Sequence, residues 1–298
     1  MNFAPAEHMQ ERLMMITRFE GWVLTLVCFD FFFFFKHFDV EQEVAIQPLH
    51  VSMGQADGCK FVFNNSACNF EAELLHEKDV LAPMQDLVSL LQPLFSQKGA
   101  YYNKKLFYLS MGLYRLFPPG SSVRQLILLD VDIQLCSDVA LLRRHFSLFP
   151  SGAIMGLAYE QQPVYRHVLH KYRQAHPGTR CGDPAPRGHP GFNSGVALLD
   201  LEAMRNSTLY QRSLSAKRVG ELVAKYSFVG HLGDQDFYSL LGWEHPELVY
   251  VLPCSWNRQL CEWWRHVGYE DVFEEYHRCD GAVHVYHGNC NSSIPPVR

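Results

Sequence analysis

A short apolar run ends in two acidic residues near the middle of the chain. Residues 126–129 are all aliphatic, and Asp130 and Asp132 follow them directly. Unbroken aliphatic runs of this length are typical of strands that are buried on both faces. Open α/β sheets bind ligands outside the carboxyl ends of their strands. The pattern therefore predicts a buried strand with a ligand site at its end, whereas a solvated turn is the simplest alternative for the two aspartates taken alone.

Helical patterns alternate with such runs along the chain. Leucines recur at helical spacing in residues 83–95, and residues 105–117 have a second apolar face that ends at Pro118-Pro119-Gly120. Another short apolar run, residues 153–158, follows the acidic pair. Alternating strands and helices are typical of sheets whose strands are connected through helices. We therefore expect an α/β fold with a mostly parallel central sheet and helices on both faces.

The first 58 residues do not follow this alternation. Residues 12–18 have the pattern of a first strand. Residues 22–35 form an apolar run that ends in five phenylalanines, contains Asp30 and is short for a membrane span. A signal anchor is one interpretation, and the preferred one is that residues 21–47 are an anomalous segment. We expect residues 1–58 to be an atypical amino-terminal segment and residues 59–298 to form the main domain.

Polar residues border two later apolar runs. Asn193, Ser194 and Gly195 form a small polar turn before an apolar strand, and residues 231–236 open a predicted helix. Amide and hydroxyl groups can hydrogen-bond the polar groups of a ligand, and glycine allows a close backbone approach. Asp234, in the second stretch, has helix N-capping as its simplest role.

An imidazole is the best candidate for a third metal ligand beside Asp130 and Asp132. His287 lies in a polar, glycine-flanked turn after the apolar stretch 282–286. Carboxylates are hard oxygen ligands, and a mixed oxygen and imidazole set favours Mn²⁺ over Mg²⁺. We therefore expect Asp130, Asp132 and His287 to bind a divalent cation, and such a cation would neutralise a departing diphosphate.

Charge and cysteine content restrict the class of protein further. The net charge of -5 gives no basic excess for phosphates, which argues against a nucleic-acid partner. The last quarter of the chain contains four cysteines without the paired Cys-x-x-Cys spacing of zinc sites. Two disulfides are the better interpretation and indicate an oxidising compartment. Four cysteines allow three pairings, and the residues alone do not select one.

The order of these motifs resembles the family-8, retaining, nucleotide-sugar-dependent glycosyltransferases. Within them it is most similar to the xyloside α-1,3-xylosyltransferase branch, over residues 59–295. Relatives of the glycogenin type have a lysine after the final histidine motif, and residues 284–291 contain none. The stretches that support the resemblance are residues 162–167, 191–195, 230–236, 256–261 and 286–291.

The resemblance implies a GT-A-type fold and transfer of xylose from UDP-xylose, with retention and with Mn²⁺. It implies an acceptor of xylosyl-glucose linked to EGF repeats of Notch-type receptors. It also implies a type II protein of the endoplasmic reticulum membrane with a luminal catalytic domain, although no anchor is evident in the chain. The oligomeric state stays open, with a homodimer as one option.

Residue roles follow from the same resemblance. Gln235 would lie near the anomeric carbon of the donor, and Asp234 would fix a sugar hydroxyl. The disulfides would join Cys254 to Cys279 and Cys261 to Cys290, within a carboxyl-terminal part at 254–298. The donor-binding candidates are Ile16, Thr17, Arg18, Val131, Asn193, Ser194, Leu232, Gly233 and Gly288, and the acceptor-binding candidates are Trp264 and Asn289.

Two other functions fit the same residues. A glucoside xylosyltransferase, which acts one step earlier, shares the donor chemistry and differs in its acceptor. A catalytically inactive relative would bind a glycan or an EGF repeat without turnover. Intact Asp130, Asp132 and His287 argue against inactivity, and the unusual amino-terminal segment argues for it. For Ile16, Thr17 and Arg18, an ordinary edge strand is the alternative to nucleotide binding.

Overall fold

The computed structural model describes residues 13–19, 22–28, 60–65, 68–96, 98 and 101–296. The strands are β1 Leu13–Phe19, β2 Trp22–Cys28, β3 Lys60–Asn65, β4 Cys68–His76, β5 Gln125–Leu129, β6 Ile133–Leu135, β7 Met155–Tyr159, β8 Phe192–Asp200, β9 Val249–Leu252, β10 Arg258–Gln259 and β11 Val285–His287. The α-helices are α1 Glu77–Leu81, α2 Gln85–Phe95, α3 Val139–Arg143, α4 Val164–Val168, α5 His170–Ala175, α6 Leu201–Asn206, α7 Thr208–Ser213, α8 Ala216–Lys225, α9 Asp234–Glu244 and α10 Glu270–His277.

The central sheet has eight strands in the order β3-β4-β1-β2-β5-β8-β7-β9. The α/β class is confirmed, but the expectation of a mostly parallel sheet is wrong. Among the described strands of this central sheet, the parallel neighbours are β2 with β5 and β7 with β9. Only two residues separate β1 from β2, and two separate β3 from β4. Such short connections allow antiparallel pairing alone, because a parallel crossover needs a dozen or more residues.

The amino-terminal strands belong to this central sheet. β1 corresponds to the predicted first strand and lies between β4 and β2, so it is not an edge strand. Residues 22–28 of the apolar run form β2, which pairs with β5. The rest of the anomalous segment, residues 21 and 29–47, lies outside the described residues, and the division at residue 58 stays a prediction. None of the helices described is long and apolar enough to span a bilayer.

β5 is buried on both faces, as its aliphatic run predicted. Leu126 and Leu128 join a cluster with residues of α2, α6 and α9, whereas Ile127 and Leu129 join a second cluster with Leu142 of α3. Alternate side chains of a strand point to opposite faces of the sheet. Helices therefore cover both faces of the sheet, as expected.

Two local predictions fail. Residues 105–117 form two stretches of 3-10 helix, Lys105–Tyr108 and Ser110–Arg115, in place of one α-helix. Residues 108–114 are buried without interruption, so tertiary packing and not an amphipathic period sets their conformation. Asn193, Ser194 and Gly195 lie inside β8 and not in a turn before it. Their polar groups are satisfied by other buried side chains, which lets the strand begin at Phe192.

A second, small sheet connects the middle of the chain to its carboxyl-terminal part. β6 pairs antiparallel with β11, and β10 pairs parallel with β11. His287 stands opposite Ile133 in this register. Disulfides join Cys254 to Cys279 and Cys261 to Cys290 around the small sheet, in the pairing that the resemblance implied.

An ionic cluster anchors the loop that leads into β8. Asp183, in the loop 176–190, accepts hydrogen bonds from Arg166 and Arg173, each at 2.7 Å. Asp183 is 16% exposed at its side chain, and the two arginines are 35% and 20% exposed. Because α4 and α5 supply the arginines, the cluster fixes the loop to the surface of these helices.

Replacing Asp183 with alanine should destabilise the protein. Two partly buried guanidinium groups lose their shared acceptor, and hydrogen bonds to charged groups contribute about 1.5–3 kcal/mol each before solvent screening, so we expect a loss of about 2 kcal/mol. Urea denaturation followed by circular dichroism measures it. Asp280→Ala is the control, because Asp280 and its partner Arg278 are 76% and 75% exposed and its loss should change little. Equal stabilities of the two variants would contradict the anchoring role.

Candidate metal and sugar-binding site

Three elements of the central sheet bring polar residues to one edge. β5 and β7 are both antiparallel to β8, so the carboxyl ends of β5 and β7 lie beside the amino end of β8. Asp130 follows β5, Glu160 follows β7, and Asn193 lies at the start of β8. Residues far apart in sequence therefore meet at the edge where the acidic pair predicted a ligand site.

His287 joins Asp130 and Asp132 at this edge. Its Nε2 lies 3.6 Å from Asp130 Oδ2 and 3.4 Å from Asp132 Oδ1. One ligand atom from each of the three residues falls within 4.8 Å of the others. The backbone N–H of Gly288 donates to the carbonyl of Asp132 at 2.7 Å, which ties the end of β11 to the acidic turn. The structure thus assembles the three predicted ligands.

The donor set of this triad fits a divalent cation. The two carboxylates supply negative charge and oxygen ligands, and the imidazole supplies a nitrogen ligand. The imidazole is buried. The side chains of Asp130 and Asp132 are 46% and 42% exposed, which leaves one side open to further oxygen ligands. Mutual attraction links the three groups. Although burial opposes both shifts, the hydrogen bond with His287 lowers the pKa of Asp132, and the same contact raises the pKa of His287.

Gly195 is required by the position of the His287 ring. A Cβ added to Gly195 would lie 2.2 Å from Cε1 and 2.6 Å from Nδ1 of that ring. The carbonyl of Gly195 also accepts a hydrogen bond from the N–H of Asp130 at 2.9 Å. The close approach that the glycine was expected to allow is therefore made by a candidate metal ligand.

A cluster of buried amides and one carboxyl group lies beside the triad. Glu160 Oε2 accepts hydrogen bonds from Asn193 Nδ2 at 3.2 Å and from Gln235 Nε2 at 3.0 Å. Asn193 Nδ2 also donates to Gln235 Oε1 at 3.1 Å. The two residues that were predicted to bind and process the sugar are thus held by one acid that the sequence analysis missed.

Glu160 keeps an unsatisfied oxygen in the interior. The residue is 3% exposed, and its Oε1 is buried without a hydrogen-bond partner. Burial raises the pKa of Glu160 to about 7, although the hydrogen bond from Asn193 and the charge of His287 lower it in part. No lysine or arginine in the described part of the chain forms a salt bridge with it. A signal for this residue existed, because Glu160 follows a short apolar run as Asp130 does.

Asp234 is bound to side chains and does not cap its helix. Its carboxylate accepts hydrogen bonds from Ser110 and from Ser194, the latter at 3.1 Å. Gly233 occupies the N-cap position of α9, and no side chain caps it, so the N-capping alternative for Asp234 is wrong. Burial raises the pKa of Asp234 to about 7, and the hydrogen bond from Ser110 opposes this. Nothing in the sequence singled out Ser110, a lone serine in an apolar stretch.

The other donor-binding candidates lie around these groups. Val131 is 43% exposed between the two aspartates. The N–H of Leu232 donates to Asp236 at 2.8 Å, and Gly233 has a φ of 67°, a conformation that favours glycine. Ile16, Thr17 and Arg18 lie in β1, outside the part of the structure with described side chains. Nucleotide contact by these residues stays a prediction.

The two acceptor-binding candidates contact other residues of the protein. Trp264 is half-buried and packs against His167 and Tyr269, with ring centroids 4.9 and 5.4 Å away. Asn289 Oδ1 accepts hydrogen bonds from the N–H groups of residues 260 and 261, at 3.0 and 2.9 Å. Acceptor contact by Trp264 and Asn289 stays a prediction.

Comparison with known proteins identifies the family. No family model matches the chain. The chain is 46% identical to human xyloside xylosyltransferase 1 over 260 residues, which cover 86% of this chain and 63% of that protein. The crystal structure of mouse xyloside xylosyltransferase 1, apo form, matches with a TM-score of 0.70 and 48% identity, over 73% of this chain and 74% of that chain. The chain belongs to the xyloside xylosyltransferase family.

The similarity extends more weakly to other proteins. Mouse xylosyl- and glucuronyltransferase LARGE2 is 32% identical over 174 residues, which cover 58% of this chain and 23% of that protein. The chain spans 63% of the length of the human and mouse xyloside xylosyltransferases that it matches. Family membership thus applies to a chain shorter than these relatives.

Replacing Gly195 with alanine should weaken cation binding in this xyloside xylosyltransferase family member. The new methyl group would displace the His287 ring, so we expect Mn²⁺ affinity to fall about 10-fold or more. Isothermal titration calorimetry on the donor-free protein measures it. Gly220→Ala is the control, because a Cβ there meets nothing within 4 Å. Unchanged affinity in the Gly195 variant would exclude His287 as a ligand.

Replacing Glu160 with glutamine should flatten the pH dependence of stability. The ordinary glutamate pKa is about 4.3 and burial raises that of Glu160 to about 7, so between these values the folded protein holds a proton that the unfolded chain has lost. The unfolding free energy therefore falls as pH rises through this window. Glutamine does not ionise, so the substitution should reduce the pH slope of the unfolding free energy. The reduction is at most that of one proton, about 1.4 kcal/mol per pH unit.

Urea denaturation at intervals across this pH window measures that slope. Glu270→Gln is the matched control, because Glu270 is exposed at the start of α10. A slope in the Glu160 variant that equals the slope in the control would show that Glu160 ionises as it does in water.

Proposed function

We propose that the chain is a retaining, metal-dependent glycosyltransferase that transfers xylose from UDP-xylose. The observation on which this rests is the triad of Asp130, Asp132 and His287, assembled in a member of the xyloside xylosyltransferase family. Its open side, formed by the half-exposed carboxylates, suits the oxygens of a diphosphate.

Mn²⁺ is the proposed cation, with Mg²⁺ as the alternative. Asp130 and Asp132 would contribute oxygens, and His287 would contribute Nε2. A bound divalent cation supplies electrostatic stabilisation of the diphosphate as negative charge develops on it. The protein's part is to hold the three ligands on two sheets that are joined at this edge.

Substitution on the same face of the sugar is the proposed route by which the configuration of the anomeric carbon is retained. Gln235 is a poor nucleophile, and both ends of its amide are engaged, by Glu160 and Asn193. The bond from the anomeric carbon to the phosphate oxygen would break, and the bond to the acceptor oxygen would form on the same face. The departing phosphate would accept the proton of the acceptor hydroxyl. A covalent glycosyl adduct isolated on Glu160, or on any other residue, would contradict this route.

The proposed acceptor is a xylosyl-glucose glycan on an EGF repeat, to which the enzyme would add xylose in α-1,3 linkage. Trp264 and Asn289 are the proposed acceptor contacts. The two disulfides favour an oxidising compartment, and we propose the lumen of the endoplasmic reticulum. A glucoside xylosyltransferase shares every donor-side feature, so acceptor assays separate the two activities.

Release of UDP from UDP-xylose tests the proposal. We expect turnover with a xylosyl-glucosyl EGF repeat and Mn²⁺, and none after chelation of the metal. Asp132→Ala should reduce turnover at least 100-fold, because the loss of a charged ligand removes several kcal/mol of transition-state stabilisation. Asp280→Ala, a change at an exposed aspartate, is the control.

Other outcomes select among the alternatives. Turnover with a glucosyl EGF repeat and not with the xylosyl-glucosyl one would favour the glucoside enzyme. UDP binding without turnover on either acceptor would favour an inactive relative. Full activity of Asp132→Ala would overturn the metal site.

A further inference from the structure

One buried amide connects the candidate metal site to the buried cluster of Glu160, Asn193 and Gln235. Asn257 has no exposed surface and lies directly after the 3-10 turn Cys254–Trp256. Its Oδ1 is 3.0 Å from His287 Nδ1, and its Nδ2 donates to Asn193 Oδ1 at 2.9 Å. The stretch 256–261 supported the family resemblance, but no role was assigned to this asparagine.

The orientation of the Asn257 amide follows from neighbours that cannot reverse their roles. The backbone N–H of Gly195 is always a donor, and it donates to Asn193 Oδ1 at 3.0 Å. The other end of the Asn193 amide, its NH₂ group, donates to Glu160 Oε2. Asn193 Oδ1 therefore faces Asn257, which must present its NH₂ group there and its oxygen to His287.

An oxygen opposite His287 Nδ1 selects one form of the neutral imidazole. A carbonyl oxygen accepts and cannot donate, so Nδ1 must carry the hydrogen. The lone pair then lies on Nε2, the nitrogen that is 3.6 and 3.4 Å from the nearest carboxylate oxygens of Asp130 and Asp132. Without the asparagine, nothing in this contact would prevent the opposite tautomer, which directs N–H at the cation.

We propose that Asn257 is a positioning residue that holds His287 as the Nδ1–H tautomer and so directs the Nε2 lone pair at the cation site. Glu160, Asn193 and Asn257 form a chain of hydrogen bonds that sets this direction from the interior. Groups that orient a metal-bound histidine through its second nitrogen affect metal affinity about 10- to 100-fold when removed. The use of the cation in sugar transfer rests on the proposed function, whereas the tautomer does not.

The tautomer is measured first, in the donor-free protein with diamagnetic Mg²⁺ at a concentration that saturates the wild type. The cation replaces the proton that Asp130 and Asp132 attract to Nε2, so nitrogen-15 NMR should show His287 with its hydrogen on Nδ1, the side that faces Asn257. At the same Mg²⁺ concentration, Asn257→Leu, which has similar volume and no acceptor, should leave part of the protein with hydrogen on Nε2. Gln259→Leu is the matched control, because Gln259 is equally buried and bonds Tyr159 and Gln161 instead. An Nε2–H form in the wild type would overturn the proposal.

Metal affinity gives a second readout. In calorimetric titration with MnCl₂, Asn257→Leu should bind about 10- to 100-fold more weakly than both the wild type and Gln259→Leu. Asn257→Asp keeps an acceptor opposite Nδ1, so it should keep the Nδ1–H form, although its second oxygen cannot replace the hydrogen bond to Asn193 Oδ1. Equal Mn²⁺ affinities of Asn257→Leu and Gln259→Leu would overturn the proposal, as would an Asn257→Asp variant in the Nε2–H form.

Failure of the two proposals can be distinguished. If the wild type binds Mn²⁺ and shows the Nδ1–H form but transfers no xylose, the proposed function fails and the role of Asn257 stands. If the wild type transfers xylose while His287 has the Nε2–H form, the role of Asn257 fails and the proposed function stands. Should Asn257→Leu not fold, the wild-type spectrum and the Asp variant decide the matter.

Discussion

The approach of the His287 ring to the backbone of Gly195 is the contact on which the site depends. It leaves no space for a Cβ, so the strand that borders the acidic residues must have glycine at this position. The same glycine bonds Asp130 through its carbonyl and Asn193 through its N–H. One residue without a side chain thus joins the candidate metal ligands to the buried cluster of Glu160, Asn193 and Gln235, and any side chain there would disturb both.

The site contains buried carboxyl groups that reduce the stability of the fold. Glu160, Asp234 and Asp236 are buried, and burial raises the pKa of each to about 7. Amides, hydroxyls and backbone N–H groups solvate them, and in the described structure no lysine or arginine pairs with them. Buried carboxyl groups without cationic partners are costly in a fold that only needs a core. Glu160 and Asp234 interact electrostatically with His287 and Asp130 of the triad, so the burial of these two is better explained by function than by packing.

The sequence allowed prediction of the features that depend on local pattern. The aliphatic run before Asp130 predicted a strand buried on both faces, and hard-ligand chemistry selected Asp132 and His287. The parallel or antiparallel pairing of the strands was not predictable in this way. It depends on the lengths of the connections between strands, and the sequence left the borders of those strands uncertain. Glu160 and Asn257 were missed for a different reason. Each is a single polar residue whose importance comes from a distant partner: Asn193 is 33 residues from Glu160, and His287 is 30 residues from Asn257.

The position of His287 finally depends on strand register. It is the last residue of β11 and stands opposite Ile133, directly after Asp132. A shift of one residue would turn its side chain to the other face of the small sheet, away from the aspartates. A sheet of three short strands has few hydrogen bonds with which to resist such a shift. The hydrogen bond from Gly288 to Asp132 and the disulfide at Cys290 lie within three residues of His287, so both restrain the register where an error would remove the ligand.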